Sequence, residues 1–90
     1  MSVDRMAEIE KRLRAALNPI NLDVRDDSAK HVGHASAGGG GHFHADIVSE
    51  VFADKTLLER HRMVYAALGD LMEREIHAFS MSAKTPDELR

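Results

Sequence analysis

Two segments of the chain carry apolar residues at the three- and four-residue spacing of an amphipathic helix. The first covers residues 3–17, with Ser2 as its N-cap and Asn18-Pro19 as its stop signal. The second carries a longer stripe, which consists of Leu57, His61, Val64, Tyr65, Leu68, Leu71 and Met72. These patterns predict two helices, each with one face buried in a core.

Three further segments alternate apolar and polar residues, the pattern of a strand with one buried face. Residues 20–25 form the first, which ends at Asp26 and Asp27, and residues 43–48 form the second. We expect these two strands to be neighbours and to pair antiparallel. Residues 76–83 form the third, and its predicted core face consists of His77, Phe79 and Met81.

Between the first two strands, residues 27–42 show no apolar periodicity and contain four consecutive glycines. Glycine is unfavourable inside helices and strands, so we interpret this segment as a flexible loop rich in glycine and histidine. A loop of this length is unusual in a small domain and indicates a functional segment. Residues 84–90, which contain the Thr85-Pro86 stop signal, are interpreted as a C-terminal tail.

These patterns predict the order helix, strand, strand, helix, strand, with a short helical turn at residues 53–57. An α+β fold, in which a three-stranded sheet carries the helices on one face, is the simplest arrangement that buries every apolar stripe. A chain of 90 residues supplies one modest core, so we expect a single domain over residues 1–90.

The composition excludes several classes of protein. Without cysteine, the chain has no disulfide and no thiolate, and any metal must be bound by His, Asp or Glu. A formal net charge of −3 argues against a nonspecific nucleic-acid-binding protein, which usually carries a basic surplus. No apolar run approaches the length of a membrane span, and the N-terminal segment lacks the features of a signal peptide. We therefore expect a cytoplasmic protein that does not bind membranes.

Histidines are the main compositional oddity, since four of the six fall between His31 and His44. Their H-x-x-H and H-x-H spacings suit neutral imidazoles around a metal, but a glycine-rich loop fixes little geometry, and solvated loop histidines are the competing interpretation. We expect His44 on the solvent face of its strand. His77 begins the third strand and is interpreted either as a histidine at the edge of the core or, with a loop histidine, as half of a metal site.

The triplet Arg60-His61-Arg62 lies in the middle of the second predicted helix. The periodicity places His61 in the apolar stripe, partly buried and hydrogen-bonded, with both arginines beside the stripe. Together with Lys55, the arginines predict a weak basic patch that can contact a phosphate or an acidic partner. No Ser/His/Asp or paired-carboxylate arrangement can be argued from the sequence, so we do not expect an enzyme.

Four segments together resemble the BolA family over nearly the whole chain: LNPINLDVRDDSAKH, HFHADIVSEVF, KTLLERHRMVYAAL and IHAFSMSAKTPDEL. The resemblance implies a type II KH-like fold, α-β-β-α-α-β, with a three-stranded sheet and the helices packed on one face. The tetraglycine formally satisfies the G-x-x-G pattern of KH domains, but we discount this match because the tetraglycine lies between two predicted strands and contains no basic residue.

The BolA resemblance implies a protein that pairs with a monothiol glutaredoxin and shares a bridging 2Fe-2S cluster, for cluster trafficking or iron sensing. In this family the BolA side supplies a histidine at the start of the last strand and a cysteine or histidine in the loop. The motifs place the first ligand at His77, in IHAFS, and the second at His31, in DDSAKH, with His34 as the alternative. Glutaredoxin and its bound glutathione would supply thiolates, so the isolated protein is expected to hold no cluster.

The second role that the resemblance implies is DNA-linked transcriptional regulation through the surface formed by Lys55, Arg60, His61 and Arg62. The net negative charge counts against strong binding to DNA. The chain also carries Asp54 where family members often have glycine, in F-x-G-K. We expect aspartate to keep the left-handed turn there at some energetic cost.

Overall fold

The computed structural model describes residues 5–27, 41–74 and 76–89, and the predictions for Ser2 and for most of the glycine-rich loop lie outside them. The order of elements is the α-β-β-α-α-β order that the family resemblance implies. The helices and strands are α1 (Arg5–Leu17), β1 (Asn21–Asp26), β2 (Gly41–Val48), α2 (Leu57–Leu68), α3 (Leu71–Arg74) and β3 (Ile76–Lys84). A first 3-10 helix, Glu50–Phe52, follows β2, and a second, Pro86–Leu89, follows β3.

Helix α1 turns one face toward the core and ends where the sequence predicts. Its buried residues are Ile9, Leu13 and Leu17, at the four-residue spacing that keeps them on one side of a helix. Asn18 has a φ of 45° and donates its backbone N–H to the carbonyl of Arg14 at 3.1 Å. Asparagine is one of the few residues that tolerates this left-handed geometry, so Asn18-Pro19 is confirmed as the stop signal.

The sheet has the order β1-β2-β3, with β2 in the middle. Strands β1 and β2 pair antiparallel, which confirms the prediction, and β2 and β3 pair parallel. Strand β2 buries Phe43, Ala45 and Ile47 beneath the helices, while the alternating His44 and Asp46 face the other side. All three helices therefore pack on one face of a mixed sheet, and the opposite face is polar.

The core stripe predicted for the second helix is confirmed at Val64, Leu68 and Leu71 and is wrong at Leu57 and Tyr65. Arg60, Val64 and Leu68 are the buried residues of α2, whereas Leu57 and Tyr65 are 65% and 40% exposed. The observed stripe recurs every four residues and includes a charged side chain, which periodicity of apolar residues alone does not place in a core. Ile20, also expected in the core, precedes β1 and is exposed.

The second predicted helix is divided into α2 and α3 at Gly69. This glycine has a φ of 55° and donates its N–H to the carbonyl of Tyr65 at 3.0 Å, which ends α2. Arg12 of α1 fixes the corner, because its Nη1 donates to the Leu68 carbonyl and to the Asp70 carboxylate, both at 2.8 Å. The break gives the second α in the order α-β-β-α-α-β.

The turn before α2 begins earlier than predicted and has the expected left-handed residue. The first 3-10 helix replaces the helical turn expected at residues 53–57, and Asp54 has a φ of 63°, which confirms that aspartate keeps the turn. Thr56 then caps α2 through a capping box with Glu59, at 3.1 Å and 2.8 Å. The T-x-x-E spacing was the sequence signal for this cap.

Residues beyond β3 continue the fold rather than forming a tail. Lys84 is the last residue of β3, and the second 3-10 helix, Pro86–Leu89, packs beside α2 through Glu88. Thr85 is buried and donates its N–H to the Glu88 carboxylate at 2.9 Å. Among the described helices, none is both long and apolar enough to cross a bilayer.

Candidate functional site

His77 lies at an irregularity of the sheet. Gly41 pairs with Ile76 and His42 pairs with Ala78, so β3 has one extra residue, His77, between two consecutive residues of β2. This is the geometry of a β-bulge, in which the inserted residue does not take part in the regular alternation of the strand. Ile76 is therefore buried on the core side, where strict alternation had predicted His77. The predicted ligand sits at an irregular backbone position rather than on the core face of a regular strand.

Both ends of the glycine-rich loop lie at this same end of the sheet. Asp27, just after β1, donates its backbone N–H to the carbonyl of His42 at 2.7 Å, which holds the two sides of the loop together. A shallow pocket of about 190 Å³ lies here, and it is lined by Asp27, His42, Phe43, Ala78, Phe79 and Ser80. The loop prediction over residues 27–42 extended too far, because Gly41 and His42 belong to β2.

The predicted loop ligands His31 and His34 lie outside the described residues. What the structure fixes is the position of the two chain segments on either side of them, at Asp27 and Gly41. Among the described residues, no three His, Asp or Glu side chains lie close enough together to hold a metal ion. The ligand assignment of His77, His31 and His34 therefore stays a prediction.

A hydrogen-bonded array that sequence reasoning missed crosses the polar face of the sheet. His44 Nδ1 lies 2.7 Å from the Ser80 hydroxyl, and His44 Nε2 lies 3.0 Å from an Asp46 carboxylate oxygen. The two bonds hold both ring nitrogens of His44, whose side chain is 20% exposed. His44 on the solvent-side face is as predicted, but Ser80 joins it only because β2 and β3 pair in parallel register. The H-x-D spacing was the one local signal for the histidine–aspartate contact.

The prediction that Arg60 contacts a partner at an exposed surface is wrong. Arg60 is only 9% exposed, and its guanidinium donates to both carboxylate oxygens of Glu88, at 2.6 Å and 3.0 Å. It also donates to the carbonyls of Ala83, at 3.0 Å, and Lys55, at 3.1 Å. Its carbon Cζ lies 5.9 Å from the centre of the Phe52 ring. Arg60 therefore connects α2 with the end of β3 and with the second 3-10 helix.

The electrostatics of this contact are those of a tight ion pair. Hydrogen bonding from Arg60, supported by the backbone N–H of Thr85, lowers the pKa of Glu88 to about 2. The same pairing with Glu88 raises the pKa of Arg60 above its ordinary value. Both side chains are therefore charged at neutral pH.

The other residues of the predicted basic patch are placed differently. Lys55 and Arg62 are exposed, and His61 is half-buried, as predicted, but forms no hydrogen bond with the described residues. A groove of about 490 Å³ lies next to the turn that precedes Lys55, and its acidic lining consists of Glu50, Asp54, Asp87 and Glu88. This surface is therefore more acidic than the RHR triplet indicates.

Comparison with known proteins agrees with the order and packing of these elements. The sequence profile described as BolA-like protein matches residues 13–88. SufE-like protein 1, chloroplastic/mitochondrial, of Arabidopsis thaliana is 44% identical over 87 residues, which cover 90% of this chain and 24% of that protein. The DNA-binding transcriptional regulator BolA of Escherichia coli (strain K12) is 38% identical over 80 residues, which cover 89% of this chain and 74% of that protein.

A solved structure extends the agreement to three dimensions. The BolA domain of SufE1 from Arabidopsis thaliana superposes with a TM-score of 0.83 at 40% sequence identity, covering 98% of this chain and 99% of that one. The chain spans about a quarter of the length of the plant SufE-like protein and about three quarters of the bacterial regulator. The similarity to the plant protein therefore concerns one part of it.

Proposed function

Because the chain belongs to the BolA-like family, we propose that it is a non-enzymatic adaptor that pairs with a monothiol glutaredoxin and shares a bridging 2Fe-2S cluster with it. The pair would serve cluster trafficking or iron sensing. The proposed compartment is the cytosol, because a glutaredoxin that carries glutathione needs a reducing environment.

The observation that carries this proposal is the parallel pairing of β2 with β3. It places Ile76 beside Gly41, so the loop that contains His31 and His34 begins and ends next to the backbone of His77. With β3 antiparallel to β2, His77 would instead lie at the other end of the sheet, about 23 Å away for an eight-residue strand. The topology supports the proposal, because the backbone of His77 and both ends of the loop lie at the same end of the sheet.

The donor set of the chain suits a shared cluster. A 2Fe-2S cluster takes four ligands, and two imidazoles on one iron raise its reduction potential. Since the chain has no cysteine, His77 and one loop histidine would supply imidazoles only, and the thiolates would come from glutaredoxin and glutathione. Ligand imidazoles must be neutral, so we expect the pair to hold its cluster less well at acidic pH.

DNA binding is the second candidate, because the bacterial relative is named a DNA-binding transcriptional regulator and because Lys55 and Arg62 are exposed. Two observations rank it below the adaptor. Arg60 is engaged with Glu88, and the groove whose lining includes Asp54, the neighbour of Lys55, is acidic, which repels phosphates. Salt-dependent binding of the isolated protein to duplex DNA, lost in a Lys55→Ala/Arg62→Ala variant, would favour this candidate over the adaptor.

The adaptor is tested by reconstitution. The protein is mixed with a monothiol glutaredoxin, glutathione, iron and sulfide, and the visible absorption and circular dichroism spectra are compared with those of glutaredoxin alone. We expect a changed spectrum that reports histidine ligation. An identical spectrum with and without the protein would rule out a shared cluster.

Variants locate the ligands in the same experiment. His77→Ala is expected to abolish the spectral change, and His31→Ala, His34→Ala and the double variant identify the loop ligand. His44→Ala is the matched control, since His44 lies on the polar sheet face and is bonded to Ser80 and Asp46. If His77→Ala and the double loop variant both behave like His44→Ala, the ligand assignment is wrong.

A further inference from the structure

A second surface with the features of a binding site lies at the end of the sheet opposite His77. The groove of about 490 Å³ is placed where β2 and β3 both end, between the Asp54 turn and the second 3-10 helix. Arg60 forms its inner wall, held there by Glu88. Because that ion pair and its backbone bonds are rigid, the groove is built into the fold.

The groove carries a surplus of negative charge. Its lining contains four carboxylates, those of Glu50, Asp54, Asp87 and Glu88, and one guanidinium, that of Arg60, which leaves a net charge of −3. Glu88 is neutralised by Arg60, but Glu50 and Asp54 form no side-chain hydrogen bond or ion pair with the described residues. Unpaired carboxylates gathered on one wall attract a cationic partner and repel an anionic one.

Exposed large apolar side chains stand close in the chain to residues that line the groove. Val51 follows the lining residue Glu50, Leu89 follows Glu88, and Leu57 lies one helical turn before Arg60. They account for three of the six large apolar side chains that are exposed in the described part of the chain, and Leu57 and Leu89 are 65% and 58% exposed. An exposed apolar rim beside polar groups is typical of surfaces that bind another protein.

We propose that this groove docks a protein segment in which lysine or arginine side chains lie next to apolar ones. The cationic groups would pair with Glu50 and Asp54, and the apolar groups would cover Val51, Leu57 and Leu89. A nucleic acid fits the same surface poorly, because its phosphates would meet the carboxylates and its backbone would gain nothing from the apolar rim. The partner is therefore a protein with a basic and apolar face.

The position of the groove gives the proposal a second part, which rests on the proposed function. Strand β2 separates the groove from the end at His77 by about 23 Å, since it has eight residues. A glutaredoxin bound at the loop end would leave the groove accessible. The basic partner would then bind at the same time as glutaredoxin, as a cluster acceptor must.

The first test uses three synthetic helical peptides of equal length with the ¹⁵N-labelled full chain. One carries lysines beside a leucine stripe, the second has glutamate for lysine, and the third has serine for leucine. We expect the lysine–leucine peptide alone to shift the amide resonances of residues 50–57 and 85–89, with at least about tenfold weaker binding for the other two. Equal binding of the serine peptide, or shifts centred elsewhere, would overturn the proposal.

Variants test each half of the surface. A triple variant, Glu50→Gln/Asp54→Asn/Asp87→Asn, removes the charge, and asparagine keeps the left-handed turn at position 54. We expect about tenfold weaker peptide binding and a smaller salt dependence. Asp23→Asn, on β1, is the charge control and should bind as the unmodified protein does. If the triple variant and the control bind equally, the carboxylates of the groove play no part.

The apolar half has a closely matched control on the same helix. Leu57→Ser/Leu89→Ser should weaken the peptide, whereas Leu58→Ser should not, because Leu58 is also exposed but lies about 200° around α2 from Arg60. Equal losses in both would show that the contact is nonspecific.

His77→Ala separates this proposal from the cluster: it should abolish the spectral change with glutaredoxin and leave peptide binding unchanged. Displacement of the peptide by glutaredoxin would overturn simultaneous binding.

Discussion

The two ends of the sheet hold their polar residues in opposite ways. At the loop end, a bulge at His77 and the two sides of the glycine-rich loop meet, and the backbone is irregular. At the groove end, Arg60 forms hydrogen bonds to Glu88 and to two backbone carbonyls, and the backbone is fixed by a capping box and two 3-10 helices. The parallel pairing of β2 with β3 brings the loop end together. The hydrogen bonds of Arg60 hold the groove end together.

This difference changes the meaning of the RHR triplet. An arginine in a family motif invites a functional role, but Arg60 satisfies four acceptor atoms within the fold and stabilises the far end of the molecule. At the loop end, by contrast, the backbone N–H of Asp27 donates to the carbonyl of His42 and joins the two sides of the loop. Perturbing the two ends should therefore give separate results, loss of stability at the groove end and loss of cluster chemistry at the loop end.

The largest effect is expected for Arg60→Ala. The substitution leaves the Glu88 carboxylate and the Ala83 carbonyl without their donor. Because Glu88 is partly exposed and can be hydrated, we expect a loss of about 2 kcal/mol, mainly from the hydrogen bonds of the buried guanidinium. Urea unfolding should show this decrease in the free energy of unfolding. Arg62→Ala, an exposed arginine two residues away, is the control and should change it by less than about 0.5 kcal/mol. Similar decreases in the free energy of unfolding for both variants would show that the contacts of Arg60 do not stabilise the fold.

A smaller loss of stability is expected at acid pH, where the carboxylate of Glu88 becomes protonated. The side chain of Glu88 is 44% exposed. Its pKa is about 2 in the folded protein against an ordinary value of 4.5, so the unfolded chain binds the proton more tightly. The stability that Glu88 contributes is complete above about pH 5 and is lost as the pH falls through 4.5 toward 2. Urea unfolding at pH 7 and pH 3 should therefore show a smaller pH dependence in Glu88→Gln than in the unmodified protein.

Asp70 provides the comparison for this measurement. Its pKa is also lowered, chiefly by the hydrogen bond from Arg12, but it lies at the corner between α2 and α3. Asp70→Asn should reduce the pH dependence as well, and the double variant should reduce it further, because the two sites share no partner. If Glu88→Gln keeps the full pH dependence, the Arg60 pair does not contribute to acid sensitivity.

Thr56→Ala should have the next largest effect and should lower the free energy of unfolding by about 1 kcal/mol. The substitution removes the hydroxyl that accepts the Glu59 N–H at 3.1 Å and opens the start of α2. Thr56→Ser keeps an acceptor oxygen at the same place and serves as the control in thermal unfolding. A loss of equal size in both would indicate that packing of the methyl group, rather than the cap, stabilises this end.

The smallest effect is expected at Asp54, where one substitution should stabilise the protein, whereas the preceding variants should destabilise it. Asp54→Gly relieves the left-handed strain at a φ of 63°, and part of this gain is offset by the greater freedom of glycine in the unfolded chain. We expect the free energy of unfolding to rise by about 0.5 kcal/mol. Asp54→Ala should lower it instead, since alanine tolerates the turn less well. A decrease for glycine would show that the carboxylate of Asp54 stabilises the turn.

The sequence by itself determined the features that depend on local geometry. The three- and four-residue spacing identified α1, the alternation in residues 43–48 identified β2 and its buried face, and Asn18-Pro19 marked the end of a helix. Asp54 in the left-handed turn also follows locally, because the backbone there requires a residue that tolerates positive φ. The combined motifs identified the family, which the comparisons confirm.

Only the tertiary structure decided the features that join distant parts of the chain. The inward position of Arg60 depends on Glu88, which is 28 residues away, and apolar periodicity contains no information about such a partner. The contact of His44 with Ser80 and the bulge at His77 depend on the register of a parallel pair whose strands are separated by α2 and α3. A sequence pattern records which residues prefer to be buried. It does not record which two distant charged residues will form an ion pair, because the packing of helices and strands against one another decides which residues meet.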